Sequence, residues 1–308
     1  MPIRLQVSRQ WRLVHWVFHA PQRVGERGLS KVIALDIGGT HSRAALFEGR
    51  EIVWRASVAT PGLAGPDAMV DTMVELLRPV SHEDAPVGVA IAGFVRGGCV
   101  TAHNTGILRD WNAFPLESEL SRKLGRPVRV LNDARAAGWA EYVAGAGRGC
   151  KDFLFVTVST GVGAGLVLNG RLHLARNGLD AELGEMLLAD GQTLENHASG
   201  TAFGELAKRL GLADARALFD AADAGDERAE ALLRTGIREL TAKLADLSVM
   251  LGIERTAIGG GVGLRAGYVE RLREELHRLP RLYHHEIMRA ELGADAGLHG
   301  VAALVRGP

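Results

Sequence analysis

The apolar positions beyond residue 30 fall into short runs separated by glycine turns or charged residues. Three such runs, at 31–36, 44–47 and 52–58, follow one another closely and predict a β-meander. After the meander, helical spacing alternates with short buried runs. This pattern predicts a helix over 66–77, a strand over 87–92, a helix over 117–124, a strand over 128–131 and a helix over 134–143.

The start of the meander recurs later in the chain. A strand over 153–158, a glycine turn and a strand over 166–168 lead into Asn169-Gly170, which is a strong hairpin signal. Segment 36–40 aligns with 157–161, so the chain is predicted to form two similar lobes. Two glycine turns that face one cleft would offer backbone N–H groups to an anionic ligand. The alternative is that both are ordinary hairpin turns, but their recurrence at matching positions favours a ligand site.

A third glycine cluster covers 258–263, between a long predicted helix over 226–251 and another over 268–279. It does not match the dinucleotide fingerprint, because the required last glycine falls on Leu264. The chain also has no Walker sequence, so a nucleotide would have to be held by a different arrangement.

The overall charge is balanced, with 36 Lys+Arg against 36 Asp+Glu, which argues against a protein built to neutralise nucleic acid or acidic membranes. Only Cys99 and Cys150 are present, so we expect neither a disulfide framework nor a four-cysteine zinc site, and we expect a cytoplasmic location. The longest uncharged stretch, 153–170, contains four glycines and several hydroxyl residues, so no membrane span is predicted.

The first thirty residues are basic and contain a single acid, Glu26. They carry neither the apolar core nor the cleavage signature of a secretory peptide. We expect residues 1–30 to form a flexible extension with no part in the chemistry.

Two carboxylates stand out at the ends of predicted strands. Asp36 precedes the first glycine turn, where it could face a phosphate-bound Mg²⁺ directly or through water, or merely cap the turn. Asn132-Asp133 follows the strand over 128–131 and opens the next helix, so a simple capping role is open to this pair as well. Between two phosphate turns, however, Asp133 would be well placed to accept a proton from a substrate hydroxyl.

These motifs occur in the order found in the ROK sugar kinases, which the chain resembles from residue 31 to its C-terminus. The resemblance rests on Asp36-Ile-Gly-Gly-Thr40, Val130-Leu-Asn-Asp-Ala-Arg-Ala-Ala-Gly-Trp-Ala-Glu141, Val156-Thr-Val-Ser-Thr-Gly-Val-Gly-Ala-Gly165, Ala181-Glu-Leu-Gly184, Leu194-Glu-Asn-His-Ala-Ser-Gly200 and Gly259-Gly-Gly-Val-Gly263. It implies a two-lobed, actin-like, hexokinase-type ATPase fold with duplicated ribonuclease-H-like domains. The lobes are expected over 31–135 and 136–292, with a C-terminal helix at about 293–308 returning to the first lobe.

The resemblance also implies a role for each matching residue. Asp133 would be the catalytic base, and the residues expected to bind the sugar are Asn104, Asn132, Glu182 and Glu195. The residues expected around ATP and its phosphates are Asp36, Gly38, Gly39, Thr40, Thr160, Gly161, Gly163, Gly260 and Gly261. Asp36 would also serve Mg²⁺. Glycine amides, Mg²⁺ and one base suffice for phosphoryl transfer, which depends on positioning and charge neutralisation.

One departure from the family pattern concerns zinc. The family usually has a histidine three residues after the sugar-binding glutamate and then three cysteines, which together bind a structural zinc. Here that position is Glu185, and residues 186–195 contain no cysteine. His197 and the pair His284-His285 do not supply the missing ligands, so ATP and Mg²⁺ are expected but zinc is not.

Within the family, the subgroup most similar to this chain is the bacterial N-acetylmannosamine kinases, through Thr157-Val-Ser-Thr-Gly161, Trp139-Ala-Glu141, Gly263-Leu-Arg-Ala-Gly-Tyr268 and Asp295-Ala-Gly-Leu-His-Gly300. This resemblance implies phosphorylation of that sugar at O6. A glucokinase or N-acetylglucosamine kinase is the alternative on the same scaffold. A sugar-sensing repressor is a third reading, disfavoured because about thirty residues ahead of Lys31 are too few for a helix-turn-helix domain. We expect sugar and ATP as partners, no nucleic acid, no membrane and a homodimer.

Overall fold

The computed structural model describes residues 31–102 and 108–307, so the predicted extension 1–30 lies outside the described residues. The strands are β1 Lys31–Ile37, β2 His41–Glu48, β3 Glu51–Ala59, β4 Val87–Ile91, β5 Phe94–Arg96, β6 Cys99–Thr101, β7 Val128–Asn132, β8 Phe153–Val158, β9 Val162–Leu168, β10 Arg171–Leu172, β11 Arg255–Gly259 and β12 Glu286–Arg289. The helices are α1 Pro66–Leu76, α2 Leu116–Leu124, α3 Asp133–Ala144, α4 Glu195–Ala198, α5 Gly200–Arg209, α6 Ala215–Asp223, α7 Glu227–Leu251, α8 Gly260–Gly263, α9 Tyr268–His277 and α10 Ala296–Arg306.

Two five-stranded sheets repeat the same strand order. The first runs β3-β2-β1-β4-β7 and the second runs β10-β9-β8-β11-β12. In each sheet the opening strand pairs antiparallel with the next strand and parallel with a later one: β1 with β2 and β4, β8 with β9 and β11. The prediction of a two-lobed α/β fold built from a duplicated unit is therefore confirmed.

The first sheet is covered on both faces because successive side chains of β1 point to opposite sides. Ile33 and Leu35 belong to the apolar cluster that contains residues of α1 and α2, whereas Val32 and Ala34 belong to the cluster that contains residues of α3 and α10. A strand with both faces buried reads as a continuous apolar run, which is why this run was recognisable in the sequence.

Helix α3 also packs against the second sheet. Its Trp139 and Tyr142 pack on the cluster that contains Phe153 and Phe155 of β8. On its other side α3 lies against α10 at very short range, since a Cβ at Gly300 would sit 1.8 Å from the carbonyl oxygen of Ala136. Helix α3 thus contacts both sheets and α10, and its first residue, Asp133, lies where these elements meet.

The structure differs from the sequence predictions in several elements. The strand predicted at 166–168 begins earlier, at Val162, because the glycines 163 and 165 remain in the β9 ladder. The hairpin of β5 and β6 was missed, although its turn at Gly97-Gly98 has the positive φ values of 56° and 78° that only glycine adopts readily. Helices α5 and α6 and strand β12 were not predicted. The lobe boundaries at residues 135 and 292 stay a prediction.

Across the described ranges 31–102 and 108–307, none of the helices combines the length and apolarity that crossing a bilayer requires.

Candidate active site

Two adjoining cavities lie beside the N-terminus of α3. Their volumes are about 300 and 280 Å³, which is the size range of small-ligand sites. We call the one that contains Asn132, Glu182 and Glu195 the first cavity, and the one that contains Asp36 and Gly260 the second cavity. Asp133, Ala134 and Thr157 line both cavities. Asp133 is the only carboxylate among these shared residues.

The local sequence explains why Asp133 sits at this junction. Asn132 ends β7 in extended backbone geometry and caps α3, since its Oδ1 accepts a 3.1 Å hydrogen bond from the Arg135 N–H. Asp133 is then the first helical residue, where the helix dipole favours a negative charge. Its own Oδ1 accepts from the Ala134 N–H at 2.8 Å.

Burial raises the pKa of Asp133 above the ordinary aspartate value. The backbone N–H groups at the start of α3 and the Arg135 charge act in the opposite direction but do not cancel the effect. The carboxylate is therefore a stronger base than an exposed aspartate.

The capping role proposed as an alternative for Asn132 is realised in the structure. Besides its Oδ1 bond, the Asn132 Nδ2 donates to the Gly93 carbonyl oxygen at 3.1 Å. The amide nevertheless lines the first cavity. Its orientation is set by two backbone groups, so it faces the cavity in a defined geometry.

Both glycine turns open onto the first cavity. The β1–β2 turn contributes Gly39, the β8–β9 turn contributes Thr160 and Gly161, and Gly163 follows in β9. The second turn is anchored from behind by α5, because the Gly200 N–H donates to the Ser159 carbonyl oxygen at 2.7 Å. The two turns therefore face one site, as the repeat predicted.

Glu195 lies against the second of these turns. Its Oε2 accepts a 2.9 Å hydrogen bond from the Val162 N–H. A Cβ at Gly161 would lie 2.4 Å from the same Oε2, so a side chain at this position would displace the carboxylate. The glycine at position 161 is thus needed for the approach of Glu195.

The second cavity brings together Asp36, Gly38 and Gly260 with a residue that the sequence prediction missed, Arg43. Asp36 is the penultimate residue of β1 and pairs across the hairpin with Arg43, which forms an ion pair with the Asp36 carboxylate. Burial raises the pKa of Asp36, the Arg43 charge opposes this shift, and the negative charge of Asp133 adds to it. The effect of the Asp133 charge on Asp36 shows that the two carboxylates lie close enough to interact electrostatically.

Among the residues that the structure describes, two predicted site residues lie apart from the cavity linings. Thr40 is exposed, and its carbonyl oxygen accepts from the Thr60 N–H at 2.9 Å. Gly261 is exposed on the short helix α8 and lines neither cavity. Asn104 lies outside the described residues.

The donor set of the second cavity suits magnesium. Mg²⁺ prefers oxygen ligands and is usually held by one or two carboxylates together with substrate phosphates and waters. Asp36 and Asp133 provide two carboxylates at this cavity.

The residues that would replace the family's zinc ligands do not suit zinc. Within residues 31–102 and 108–307, no three His, Cys, Asp or Glu side chains converge as a metal site. The segment before Glu195 is held instead by a 2.9 Å contact between Asp190 Oδ2 and His197 Nε2. Asp190 Oδ1 accepts from the Gln192 N–H at 3.0 Å, and this bond together with His197 lowers the pKa of Asp190. Oxygen and a single nitrogen are not the soft ligand set of a structural zinc.

Sequence reasoning also missed two buried charged residues near the cavities. Arg135, on the first turn of α3, contacts Asp180 and Glu182. Glu141, further along α3, accepts backbone N–H bonds from Ala146, Glu291 and Leu292 at 2.7 to 2.9 Å. The available signal was a charged residue on a face of α3 that otherwise carries alanine and glycine. Because charged side chains are rarely buried without partners, such a residue predicts a partner in the fold.

A family model described as "ROK family" matches residues 32–307. The bifunctional enzyme NanE/NanK of Brucella melitensis is 37% identical over 97% of this chain, and the chain spans only 58% of that protein. The N-acetylmannosamine kinase of Shigella flexneri is 36% identical over 90% of this chain and 98% of its own length. A ROK family glucokinase from Streptomyces griseus, solved in complex with glucose and AMPPNP, superposes with a TM-score of 0.74 at 29% identity, covering 90% of this chain and 99% of its own.

The matched family model covers every described element of both sheets. The glucokinase structure agrees with the two-lobed fold over nearly all of its own length. The resemblance found in the motifs is thereby confirmed: the chain belongs to the ROK family.

Proposed function

We propose that this protein is an ATP-dependent kinase that phosphorylates O6 of N-acetylmannosamine. The observation that carries the proposal is the position of Asp133, which lines both cavities. A sugar hydroxyl in the first cavity and a phosphoryl group approaching from the second would meet at this carboxylate. In-line transfer needs this arrangement, with the attacking and the leaving oxygen on opposite sides of the phosphorus.

In this reaction Asp133 accepts the proton of the sugar hydroxyl. The hydroxyl oxygen forms a bond to the γ-phosphorus, and the bond between the γ-phosphorus and the β–γ bridging oxygen breaks, which leaves ADP. The raised pKa of Asp133 makes the carboxylate a better proton acceptor near neutral pH.

The remaining charged groups would stabilise the phosphates. We assign the glycine N–H groups of the two turns and Arg43 to the transferring group and its neighbours. Mg²⁺ would be held by Asp36, with Asp133 nearby, and when bound it neutralises charge on the phosphate oxygens. Gly260 and Gly261 would lie beside the adenosine.

The first cavity is built for a polyol. Two carboxylates, Glu182 and Glu195, and the amide of Asn132 line it, and carboxylate oxygens accept hydrogen bonds from sugar hydroxyls. We also assign Asn104 to the sugar, on the basis of the family motif. The Shigella flexneri relative, with 36% identity over 98% of its length, supports N-acetylmannosamine as the sugar.

The test is a coupled ADP-release assay over a panel of hexoses and N-acetylhexosamines. We expect the highest kcat/KM for N-acetylmannosamine. A ranking headed by glucose or N-acetylglucosamine would instead support the alternative, for which the structural similarity to a glucokinase is the relevant observation. If no sugar is phosphorylated, the kinase proposal is wrong.

The predictions of a homodimer and of no nucleic-acid partner are part of this proposal. Light scattering on the purified protein tests the first. A binding titration with duplex DNA at low salt, where non-specific phosphate binding is strongest, tests the second.

A further inference from the structure

Arg135 is a buried cation beside the catalytic aspartate, and its role does not follow from the motifs. It lies two residues after Asp133 on α3, and only 3% of its side chain is exposed. The guanidinium group leaves α3 and reaches the loop that ends at Glu182. Arginine is almost never buried without partners, because the loss of hydration must be offset.

Within residues 31–102 and 108–307, the side-chain hydrogen bonds and ion pairs of Arg135 fall on this one loop. Its Nε donates to the Asp180 carbonyl oxygen at 2.8 Å and lies 2.5 Å from the Asp180 carboxylate. Its Nη2 donates to the Asp180 carbonyl and lies 3.5 Å from the carbonyl oxygen of Gly178. The same Nη2 forms an ion pair with Oε1 of Glu182.

The two carboxylates differ in what they face. Asp180 is as buried as Arg135, with 3% of its side chain exposed, and therefore serves as the internal counter-ion. Glu182 keeps 29% of its side chain exposed and lines the first cavity. Asp180 by itself balances the charge of the buried guanidinium. The contact with Glu182 is therefore additional, and it connects Arg135 to the first cavity.

A purely structural role would be a weak explanation for this arrangement. A buried ion pair is frequently no more stabilising than apolar residues of similar volume. A fixed guanidinium fork, in contrast, holds a carboxylate in a defined direction. Glu182 directly precedes the short 3-10 helix over Leu183–Glu185 and lies outside the strands and α-helices, so a contact from α3 helps to set the direction of its carboxylate.

We propose that Arg135 is a positioning residue that aims the Glu182 carboxylate at the sugar hydroxyls in the first cavity, with Asp180 as its buried counter-ion. The inference rests on the proposed function and deepens it. It predicts that Arg135 affects sugar recognition through Glu182 while leaving nucleotide binding unchanged.

The experiment is a double-mutant cycle on the purified kinase with Arg135→Gln, Glu182→Gln and the double variant. We expect Arg135→Gln to raise the KM for N-acetylmannosamine roughly 10- to 100-fold, the scale of a misplaced binding group, with the KM for ATP unchanged. In the double variant the sugar KM should equal that of Glu182→Gln alone, because the loss of Arg135 cannot misplace a carboxylate that is already absent. Arg135→Lys should fall between wild type and Arg135→Gln, because an ammonium group retains the charge but not the fork.

The matched control is Arg126→Gln. Arg126 also donates from both guanidinium branches to backbone carbonyl oxygens, those of Glu83 and Ser81, each at 2.7 Å, and it lines neither cavity. This variant should lose thermal stability and keep the wild-type KM for the sugar.

If Arg135→Gln does not fold, Arg135→Met combined with Asp180→Asn removes both buried charges and avoids an unpaired one. This variant should show the same selective rise in sugar KM. An unchanged sugar KM in the Arg135 variants would overturn the inference. So would a double variant of Arg135→Gln and Glu182→Gln whose increase in sugar KM is the product of the two single increases. Either result would leave the kinase activity of the wild type, and with it the proposed function, intact. A wild type that phosphorylates no sugar overturns the proposed function and this inference together.

Discussion

Glu195 accepts a 2.9 Å hydrogen bond from the backbone N–H of Val162, which connects the first residue of α4 to the start of β9. Through this bond the carboxylate that we propose to bind the sugar and the second glycine turn are fixed relative to each other. The contact requires an open space at Gly161, where a Cβ would come within 2.4 Å of the carboxylate.

Replacing Gly161 with alanine should therefore impair sugar binding more than stability. The clashing atom is the end of a flexible side chain, so Glu195 can swing away at small cost to the fold. We expect the KM for N-acetylmannosamine to rise about tenfold, measured by the ADP-release assay, as a binding group is displaced. Gly204→Ala is the control, because Gly204 lies within α5 and the nearest atom to a Cβ there is the Ala215 backbone nitrogen, 3.9 Å away. This variant should keep the KM while stabilising the helix by about 0.5–1 kcal/mol. An unchanged sugar KM in Gly161→Ala would contradict the proposed role of Glu195.

Replacing Asp133 with asparagine should remove the proton acceptor and leave the shape of the site intact. We expect kcat to fall by about 10²–10⁴-fold, while the sugar still binds with nearly wild-type affinity in a calorimetric titration. Near-normal turnover would exclude Asp133 from the mechanism.

The same variant should be more stable than the wild type at neutral pH. Burial raises the pKa of Asp133 in the folded protein, so the folded state holds the proton more tightly than the unfolded state, and the ionised form costs stability at higher pH. Asparagine removes this cost, which is about 1.4 kcal/mol for each unit by which the pKa is raised. Chemical denaturation at pH 7 and at pH 3.5 measures it. We expect the advantage of the variant to shrink as the pH falls through the raised pKa of Asp133, and to be largely lost once the pH reaches the ordinary aspartate value. An advantage that grows on acidification would mean that the sign of the shift is wrong.

The pH profile of the wild type should reflect the same shift. In the proposed mechanism activity requires ionised Asp133, so kcat/KM should decline on acidification with an apparent pKa above the usual aspartate value of about 3.9. Asp36, whose pKa is also raised by burial, would contribute to the same limb. Rates measured in buffers of constant ionic strength provide the test, and a limb at or below the ordinary value would rule out a buried base.

Treatment with EDTA should abolish phosphorylation, and Mg²⁺ alone should restore it fully. The carboxylates of Asp36 and Asp133 fit magnesium, whereas the pair of Asp190 and His197 does not fit zinc. Metal analysis of the purified protein provides a readout that is independent of activity. Zinc at one atom per chain would show that the ligand set has been misread.

Much of the fold was accessible from local sequence. The strands β1, β4 and β8 are buried on both faces and therefore appear as short apolar runs, and the duplicated glycine turns predicted two equivalent units. Asp133 and Asn132 were recognisable because a strand end followed by a helix cap has a clear local pattern. The hairpin of β5 and β6 was missed, since strands of three residues carry too little periodicity to be distinguished from a loop.

What the sequence determined by itself was the set of short-range features: strand runs, turns, caps and the motifs that carry the family resemblance. These depend on residues close together in the chain, where periodicity and turn chemistry act. Only the tertiary structure decided which distant residues meet. The contact of Arg135 with Glu182 and the sharing of Asp133 by two cavities arise from the packing of α3 between the sheets. Burial then sets the pKa of Asp133 and Asp36, and desolvation is a property of the folded environment that no local pattern contains.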